Sequence, residues 1–145
     1  MIVIGRRDKI DLPELELFNI EAKVDTGAYG CALHCHETEE VLLKGQRVLS
    51  FKVLDPEHPE FADKNFYASN YNYKSVKNSS GESEDRYAIE TDIVVFGKKR
   101  TVEFSLTDRS EMKYPILLGR KFLSKHYLVD VQQKDLSFTL KTEKK

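Results

Sequence analysis

The clearest pattern along the chain is the alternation of apolar and polar residues over Arg86–Phe96. Gly97-Lys98-Lys99 then marks a turn, and Thr101–Leu106 alternates again. A period of two is typical of a strand with one buried face, so the two segments predict a β-hairpin. The residues predicted to share the buried face of the first strand are Tyr87, Ile89, Thr91, Ile93 and Val95.

Other stretches also have strand character. Ile20–Val24 mixes apolar and charged residues, and Val48–Leu54 is partly alternating and rich in β-branched residues. Near the end of the chain, Tyr127–Val131 and Leu136–Leu140 are predicted to form a last hairpin across four polar residues. Many short strands in a small chain predict an all-β fold, a closed or partly open barrel.

Helices and loops account for the rest of the pattern. One short helix is predicted at about Arg120–Lys125, directly after Gly119. Asp55–Asn65 contains two prolines and several charges and is predicted to be a loop. Asn78–Glu82 is a dense cluster of turn-forming residues.

Length and composition narrow the classes of protein. The chain has 145 residues, the size of a single domain over 1–145. Its net charge of −1 disfavours binding to nucleic acid, which needs a basic surface. No apolar run is long enough to cross a membrane, and the first residues lack the form of a signal peptide, so we expect a cytoplasmic protein. The chain's 2 cysteines are too few for a disulfide scaffold.

Candidate chemistry begins at Asp25-Thr26-Gly27, which follows the apolar strand residue Val24. An aspartic protease needs such a tripeptide: the carboxylate activates water, the Thr hydroxyl fixes the loop to its partner, and Gly allows close backbone approach. Taken alone, the tripeptide is also a common turn. A second motif, Leu117-Leu118-Gly119-Arg120, ends an apolar strand just before the predicted helix.

Together these motifs resemble the retropepsin-like aspartic proteases, in the bacterial branch often labelled ATP-dependent zinc protease. The likeness covers about Ile4–Leu140 and implies a retropepsin-like (acid protease) barrel with a flap hairpin. Its segments, in order, are Ile4-Gly5-Arg6, Lys23–Ala28, Ala32–His34, Glu84–Tyr87, Ser105–Arg109 with Met112, Leu117–Arg120 and Val129-Asp130.

The resemblance also implies roles for individual residues. Asp25, Thr26 and Gly27 are expected to be catalytic. Substrate is expected to contact the residues after the catalytic turn and at the flap tip, which are Ala28, Tyr29, His34, Ser79, Ser80 and Gly81. Support of the site is expected from Leu117, Leu118, Gly119 and Arg120.

The chain also departs from this pattern. Retroviral proteases place an acidic residue after Asp-Thr-Gly-Ala, where it pairs with the Arg of the Gly-Arg motif. Here that position is Tyr29, so Arg120 needs another partner. Residues at about 55–75 are predicted to be an insertion, and 141–145 a short charged tail.

A single Asp-Thr-Gly predicts a homodimer. One carboxylate cannot be both general base and general acid in this reaction, whereas two at a twofold axis share a proton and divide the tasks. The sequence therefore predicts a homodimeric endopeptidase that hydrolyses peptides or proteins with paired Asp25 residues.

Two alternatives stay open at this point. One is a catalytically weak or inactive module that binds peptides on the same barrel. The other is a zinc-binding protein that uses Cys31, His34, Cys35 and His36, although four ligands within six residues are crowded for one tetrahedral ion. No cofactor is predicted, because the chain has no phosphate-binding Gly-rich motif. Relatives occur near ATP-grasp amino-acid ligases, which suggests a functional association.

Overall fold

The computed structural model describes residues 1–77, 80–108 and 113–143. Eleven strands and two helices, with a 3₁₀ turn at Pro13–Leu15, make up these residues. The strands are β1 (Ile2–Ile4), β2 (Arg7–Leu12), β3 (Leu17–Val24), β4 (Cys31–Leu43), β5 (Gln46–Val53), β6 (Phe66–Ala68), β7 (Tyr71–Lys77), β8 (Ser83–Val95), β9 (Lys98–Thr107), β10 (Ile116–Leu118) and β11 (Tyr127–Val129). The helices are α1 (Arg120–Leu123) and α2 (Leu136–Glu143).

Six of these strands bond in a ring. Along the sheet the order is β10-β3-β2-β8-β9-β4, and β10 pairs again with β4, which closes the circle. Strands β5 and β6 extend from β4, β7 pairs with β8, and β1 and β11 form a separate parallel pair. The prediction of an all-β barrel with a flap hairpin is confirmed.

The ring encloses the apolar core. Alternation along β8 places Ile89, Thr91, Ile93 and Val95 in the interior, as predicted, with Tyr87 half-buried at the same face. Large side chains that are almost fully buried fill the space between the strands; they are Ile10, Ile20, Leu33, Phe51, Phe104, Ile116 and Phe122. Such a core is the main stabilising contribution to a domain of this size.

The predicted hairpins have mixed outcomes. The hairpin of β8 and β9 is confirmed, but its turn residues are Phe96 and Gly97, at φ +54° and +70°, and β9 already begins at Lys98. Two central residues with positive φ match the twist of the flanking strands. Asp55–Asn65 is turns and irregular chain, as predicted.

The predicted last hairpin is wrong. Tyr127–Val129 pairs in parallel with β1, and Leu136–Glu143 is a helix. The residues expected as a charged tail therefore begin inside α2. The buried carboxylate of Asp8 accepts from the Ser137 N–H at 2.8 Å and the Phe138 N–H at 3.1 Å, which caps the helix from a distant strand. Within the described residues no helix is long and apolar enough to span a bilayer.

Candidate active site

The Asp25 turn is built directly on the end of β3. The Asp25 N–H donates to the Leu118 carbonyl at 2.9 Å, which continues the parallel pairing of β3 with β10 past Val24. The Gly27 N–H donates to Asp25 Oδ1 at 3.0 Å, and the Ala28 N–H donates to the Asp25 carbonyl at 3.2 Å. The side chain is thus oriented by its own turn, an arrangement that Asp favours.

Strand β10 supports this turn from behind. It lies between β3 and β4, with Leu117 opposite both Lys23 and Ala32, and Leu118 fully buried. At Gly119 the chain passes so close to the loop after the turn that an added Cβ would lie 2.7 Å from the Tyr29 carbonyl oxygen and closer still to that of Gly30. Only glycine fits this contact without a backbone shift.

Two further backbone hydrogen bonds join the start of α1 to the same loop. The Arg120 N–H donates to the Ala28 carbonyl at 2.9 Å, and the Lys121 N–H donates to the Tyr29 carbonyl at 2.8 Å. The first N–H groups of a helix have no partner within the helix, so the loop carbonyls satisfy them. The structure therefore brings the predicted supporting segment against the predicted catalytic turn.

Arg120 has the partners that the sequence left open. Its Nη1 donates to the Thr26 carbonyl at 3.0 Å, and its guanidinium lies 5.8 Å from the centroid of the Tyr29 ring. A carbonyl and an aromatic face thus occupy the place of a carboxylate partner. Sequence reasoning missed this role of Tyr29; an aromatic residue at the acidic position was the available signal.

The outer face of the turn is open. Thr26 and Gly27 are exposed, Asp25 and Ala28 are half-buried, and Tyr29 is 63% exposed. The carboxylate therefore combines fixed geometry with access from solvent. An arrangement of this kind allows a held water and a second macromolecular surface to meet at the same point.

The flap hairpin is formed by β7 and the first half of β8, paired from Tyr71 opposite Ile89 to Lys77 opposite Ser83. At its tip Ser80 and Gly81 are exposed, and Gly81 has φ +88°, a conformation that favours glycine. The predicted tip residue Ser79 lies outside the described residues, as do Arg109 and Met112 of the motif segments.

His34 lies on β4 and is buried. It is only 4% exposed, and its main-chain N–H donates to the Pro115 carbonyl at 2.8 Å. Its Nε2 lies 3.9 Å from Asp55 Oδ2, and burial lowers the pKa of His34. The residue is therefore an interior group, and its burial does not support the prediction that it contacts substrate.

The geometry of the Cys31–His36 segment does not fit a zinc site. Both thiols are buried, and burial raises the pKa of Cys31 and, more strongly, that of Cys35, whereas zinc binds the thiolate. His36 instead packs against the Phe61 ring, with 5.6 Å between centroids. In the parts of the chain that the structure describes, no three His, Cys, Asp or Glu side chains come together to hold a metal ion.

Comparisons with known proteins agree with this geometry. The model of the RimB-like family, described as retropepsin-like aspartic endopeptidase RimB, matches residues 3–138. The crystal structure of Lpg0085, a protein of unknown function from Legionella pneumophila, superposes with a TM-score of 0.74 at 28% identity. That superposition covers 94% of this chain and 98% of the Legionella chain.

Two curated relatives are longer proteins. A probable alpha-L-glutamate ligase of Shewanella pealeana is 31% identical over 128 residues, which is 88% of this chain and 28% of the relative. The protein of the same name from Parasynechococcus marenigrum is 32% identical over 133 residues, 89% of this chain and 28% of the relative. This chain therefore spans little more than a quarter of either relative. With the family model matched almost end to end, the chain belongs to the RimB-like family of retropepsin-like aspartic endopeptidases.

Proposed function

We propose that the protein is a homodimeric aspartic endopeptidase in which Asp25 of each protomer contributes one carboxylate to a shared site. The observation that carries the proposal is the Asp25 turn. Its carboxylate is oriented by the Gly27 N–H at 3.0 Å, backed by β10, and reached through an exposed outer face. A single such turn in the described chain supplies half of a two-carboxylate site.

The chemistry follows from pairing two such turns. Two carboxyl groups about 3 Å apart hold one proton between them, because like charges at that separation cannot both persist. The ionised Asp25 takes a proton from a water molecule while the oxygen of that water attacks the peptide carbonyl carbon. The protonated Asp25 of the second protomer gives its proton to the carbonyl oxygen. Collapse of the resulting diol breaks the C–N bond: the first Asp25 gives the proton it took from water to the leaving nitrogen, and the second Asp25, now ionised, takes a proton from a diol hydroxyl.

The open face of the turn is where the second protomer would dock. Thr26 and Gly27 project outward there, and the Thr26 carbonyl is already engaged by Arg120 Nη1. This leaves the Thr26 hydroxyl as the group to hydrogen-bond across the twofold axis. The rigid backing by β10 would hold both carboxylates within the tolerance that catalysis needs.

The class of substrate is an extended peptide held between the turn and the flap. The longer curated relatives, which this chain matches over 28% of their length, are named probable alpha-L-glutamate ligases. We propose that the peptidase acts beside such an activity, on peptides that carry α-linked glutamate. Matched peptides with and without a glutamate tail test this, and equal cleavage of both would exclude the preference.

Asp25→Asn is the decisive variant. The substitution keeps an Oδ1 acceptor for the Gly27 N–H but cannot supply an ionised carboxylate, so peptide cleavage should fall by at least about 10³-fold. Asp130→Asn is the matched control, because Asp130 Oδ1 accepts the Gln132 N–H at 2.9 Å in the same local turn geometry. Cleavage by Asp25→Asn at the level of the control would overturn the proposal, as would peptide binding by the parent protein without any cleavage.

Mixing the parent protein with Asp25→Asn tests whether the site needs two protomers. If each site needs two Asp25 residues, adding an equal amount of Asp25→Asn to the parent should leave about half of the parent activity, because mixed dimers are inactive. An excess of the variant should lower it further. Activity that does not respond to added variant would show that one chain suffices.

A further inference from the structure

The flap hairpin has a sharp boundary in its hydrogen bonding. Strand β8 pairs with β9 from Ala88 opposite Ser105 onward to Val95, whereas Ser83–Tyr87 pairs with β7 alone among the described strands. The chain beyond this boundary is therefore a two-stranded arm, here called the flap arm, consisting of Tyr73–Lys77 and Ser83–Tyr87. A two-stranded ribbon is only marginally stable by itself, so its orientation depends on what holds its base.

Tyrosines occupy that base. Tyr87 is the last residue before the ladder with β9, Tyr73 is its partner on β7, and Tyr71 lies two pairs further back, opposite Ile89. The Tyr73 and Tyr87 rings are 4.7 Å apart, and those of Tyr71 and Tyr87 are 6.0 Å apart. Tyr71 and Tyr73 share one face of the hairpin because they are two residues apart on β7. Tyr87 lies on the same face because it is paired directly with Tyr73.

A single carboxylate from a different hairpin engages this base. Glu40 lies on β4, paired with Leu49 of β5, and accepts hydrogen bonds from the Tyr71 hydroxyl at 2.6 Å and the Tyr87 hydroxyl at 3.2 Å. Each hydroxyl meets a different carboxylate oxygen. Arg47 lies 3.8 Å away and is 71% exposed, so it contributes little to the anchor.

We infer that Glu40 is a positioning residue for the flap: its carboxylate fixes the base of the flap arm and thereby sets how the arm closes over a bound peptide. The inference rests on the proposed peptidase function for the role of the arm, and on the two hydroxyl–carboxylate contacts for the anchor. The Glu40 side chain is 37% exposed, so it adds little to the core. Its two contacts join the flap arm to the separate hairpin of β4 and β5, so they can set the orientation of the arm.

Hydrogen exchange tests the anchor without relying on catalysis. In Glu40→Ala the amides of Ser83–Tyr87 should exchange about tenfold faster, because both hydrogen bonds at the base are lost. Glu40→Gln keeps a carbonyl acceptor and an amide that meets the second hydroxyl, so its exchange should remain close to that of the parent. Glu39→Ala, at the exposed neighbouring position, should leave the arm unchanged. Arm exchange in Glu40→Ala equal to that of the parent would overturn the inference.

Peptidase kinetics then connect the anchor to function. In Glu40→Ala we expect KM for a peptide substrate to rise about fivefold or more while kcat changes less than about twofold, and Glu40→Gln to restore KM. Unchanged KM in an active Glu40→Ala protein with a loosened arm would overturn the role in substrate binding. Failure of the proposed function is distinguishable from failure of this inference. In the first case the parent protein cleaves no peptide, whereas the hydrogen-exchange experiment tests the anchor independently of cleavage.

Discussion

The Asp25 turn and the flap arm are held in opposite ways. The turn is fixed by main-chain groups: the Asp25, Arg120 and Lys121 N–H groups donate to the Leu118, Ala28 and Tyr29 carbonyls, respectively. The flap arm is fixed at its base by side chains, through Glu40 and its tyrosines. Main-chain contacts survive most substitutions, whereas side-chain contacts disappear with a single one. Main-chain support therefore lets the turn tolerate an unusual sequence after Ala28, whereas single substitutions can alter the position of the flap arm.

Gly119→Ala is expected to break the turn's main-chain support most severely. The added Cβ would clash with backbone carbonyls rather than with a flexible side chain, so the loop after Asp25 must shift. We expect a loss of about 3 kcal/mol in the free energy of unfolding, measured by urea denaturation, and loss of peptidase activity.

Gly30→Ala is the matched control for this prediction. Its Cβ would meet nothing within 4 Å, although Gly30 lies in the same contact. The free energy of unfolding should therefore stay within about 0.5 kcal/mol of the parent. Equal destabilisation by the two substitutions would show that main-chain proximity is not what fixes the turn.

How far the sequence predicts this structure differs between the two regions. The period of two along Tyr87–Val95 and the Asp-Thr-Gly and Leu-Leu-Gly-Arg segments predicted the barrel and the parts of the site, because these features are local. The signal for Tyr29 was limited to an aromatic residue at a usually acidic position, and the role of Glu40 depends on partners distant in sequence, so no local pattern shows it. The strand prediction at Leu136–Leu140 failed for the same reason, since the cap of α2 comes from Asp8.

Asp8 provides a third kind of support, from side chain to main chain, and its removal should have an intermediate effect. Asp8→Ala leaves the Ser137 and Phe138 N–H groups without their acceptor in a site that is 1% exposed. We expect about 2 kcal/mol of destabilisation by urea unfolding. A loss below about 0.5 kcal/mol would show that α2 is held by its apolar contacts alone.

Comparison of the parent with Asp8→Asn isolates the effect of Asp8 ionisation on the pH dependence of the unfolding free energy. Burial raises the pKa of Asp8 in the folded protein, so folding favours the protonated form. The part of the stability that comes from protonation of this group is present below the ordinary aspartate pKa of about 4 and is lost as pH rises through the raised value. The unfolding free energy of the parent relative to Asp8→Asn should therefore fall across that window. A constant difference between the two proteins would contradict it.

The contact of Arg120 with Tyr29 is a side-chain addition to the turn and should contribute less. A double-mutant cycle with Arg120→Ala and Tyr29→Ala should give a coupling free energy of about 0.5–1 kcal/mol, as expected for a cation near an exposed ring. Tyr29→Phe should keep most of it, because the ring remains. Zero coupling would leave the hydrogen bond to the Thr26 carbonyl as the only role of the guanidinium at this turn.

The smallest predicted effect distinguishes the two tyrosines at the base of the flap arm. The pKa of Tyr71 is raised above its usual range first by its hydrogen bond to Glu40, whereas the pKa of Tyr87 is raised first by burial and only then by Glu40. Replacing Glu40 with Ala should therefore lower the pKa of Tyr71 more than that of Tyr87 in an NMR titration of the two rings. Glu39→Ala should change neither. If the two tyrosines shift equally, Glu40 acts on them as a distant charge and not as a hydrogen-bonded anchor, and the flap would lack the side-chain support that sets it apart from the Asp25 turn.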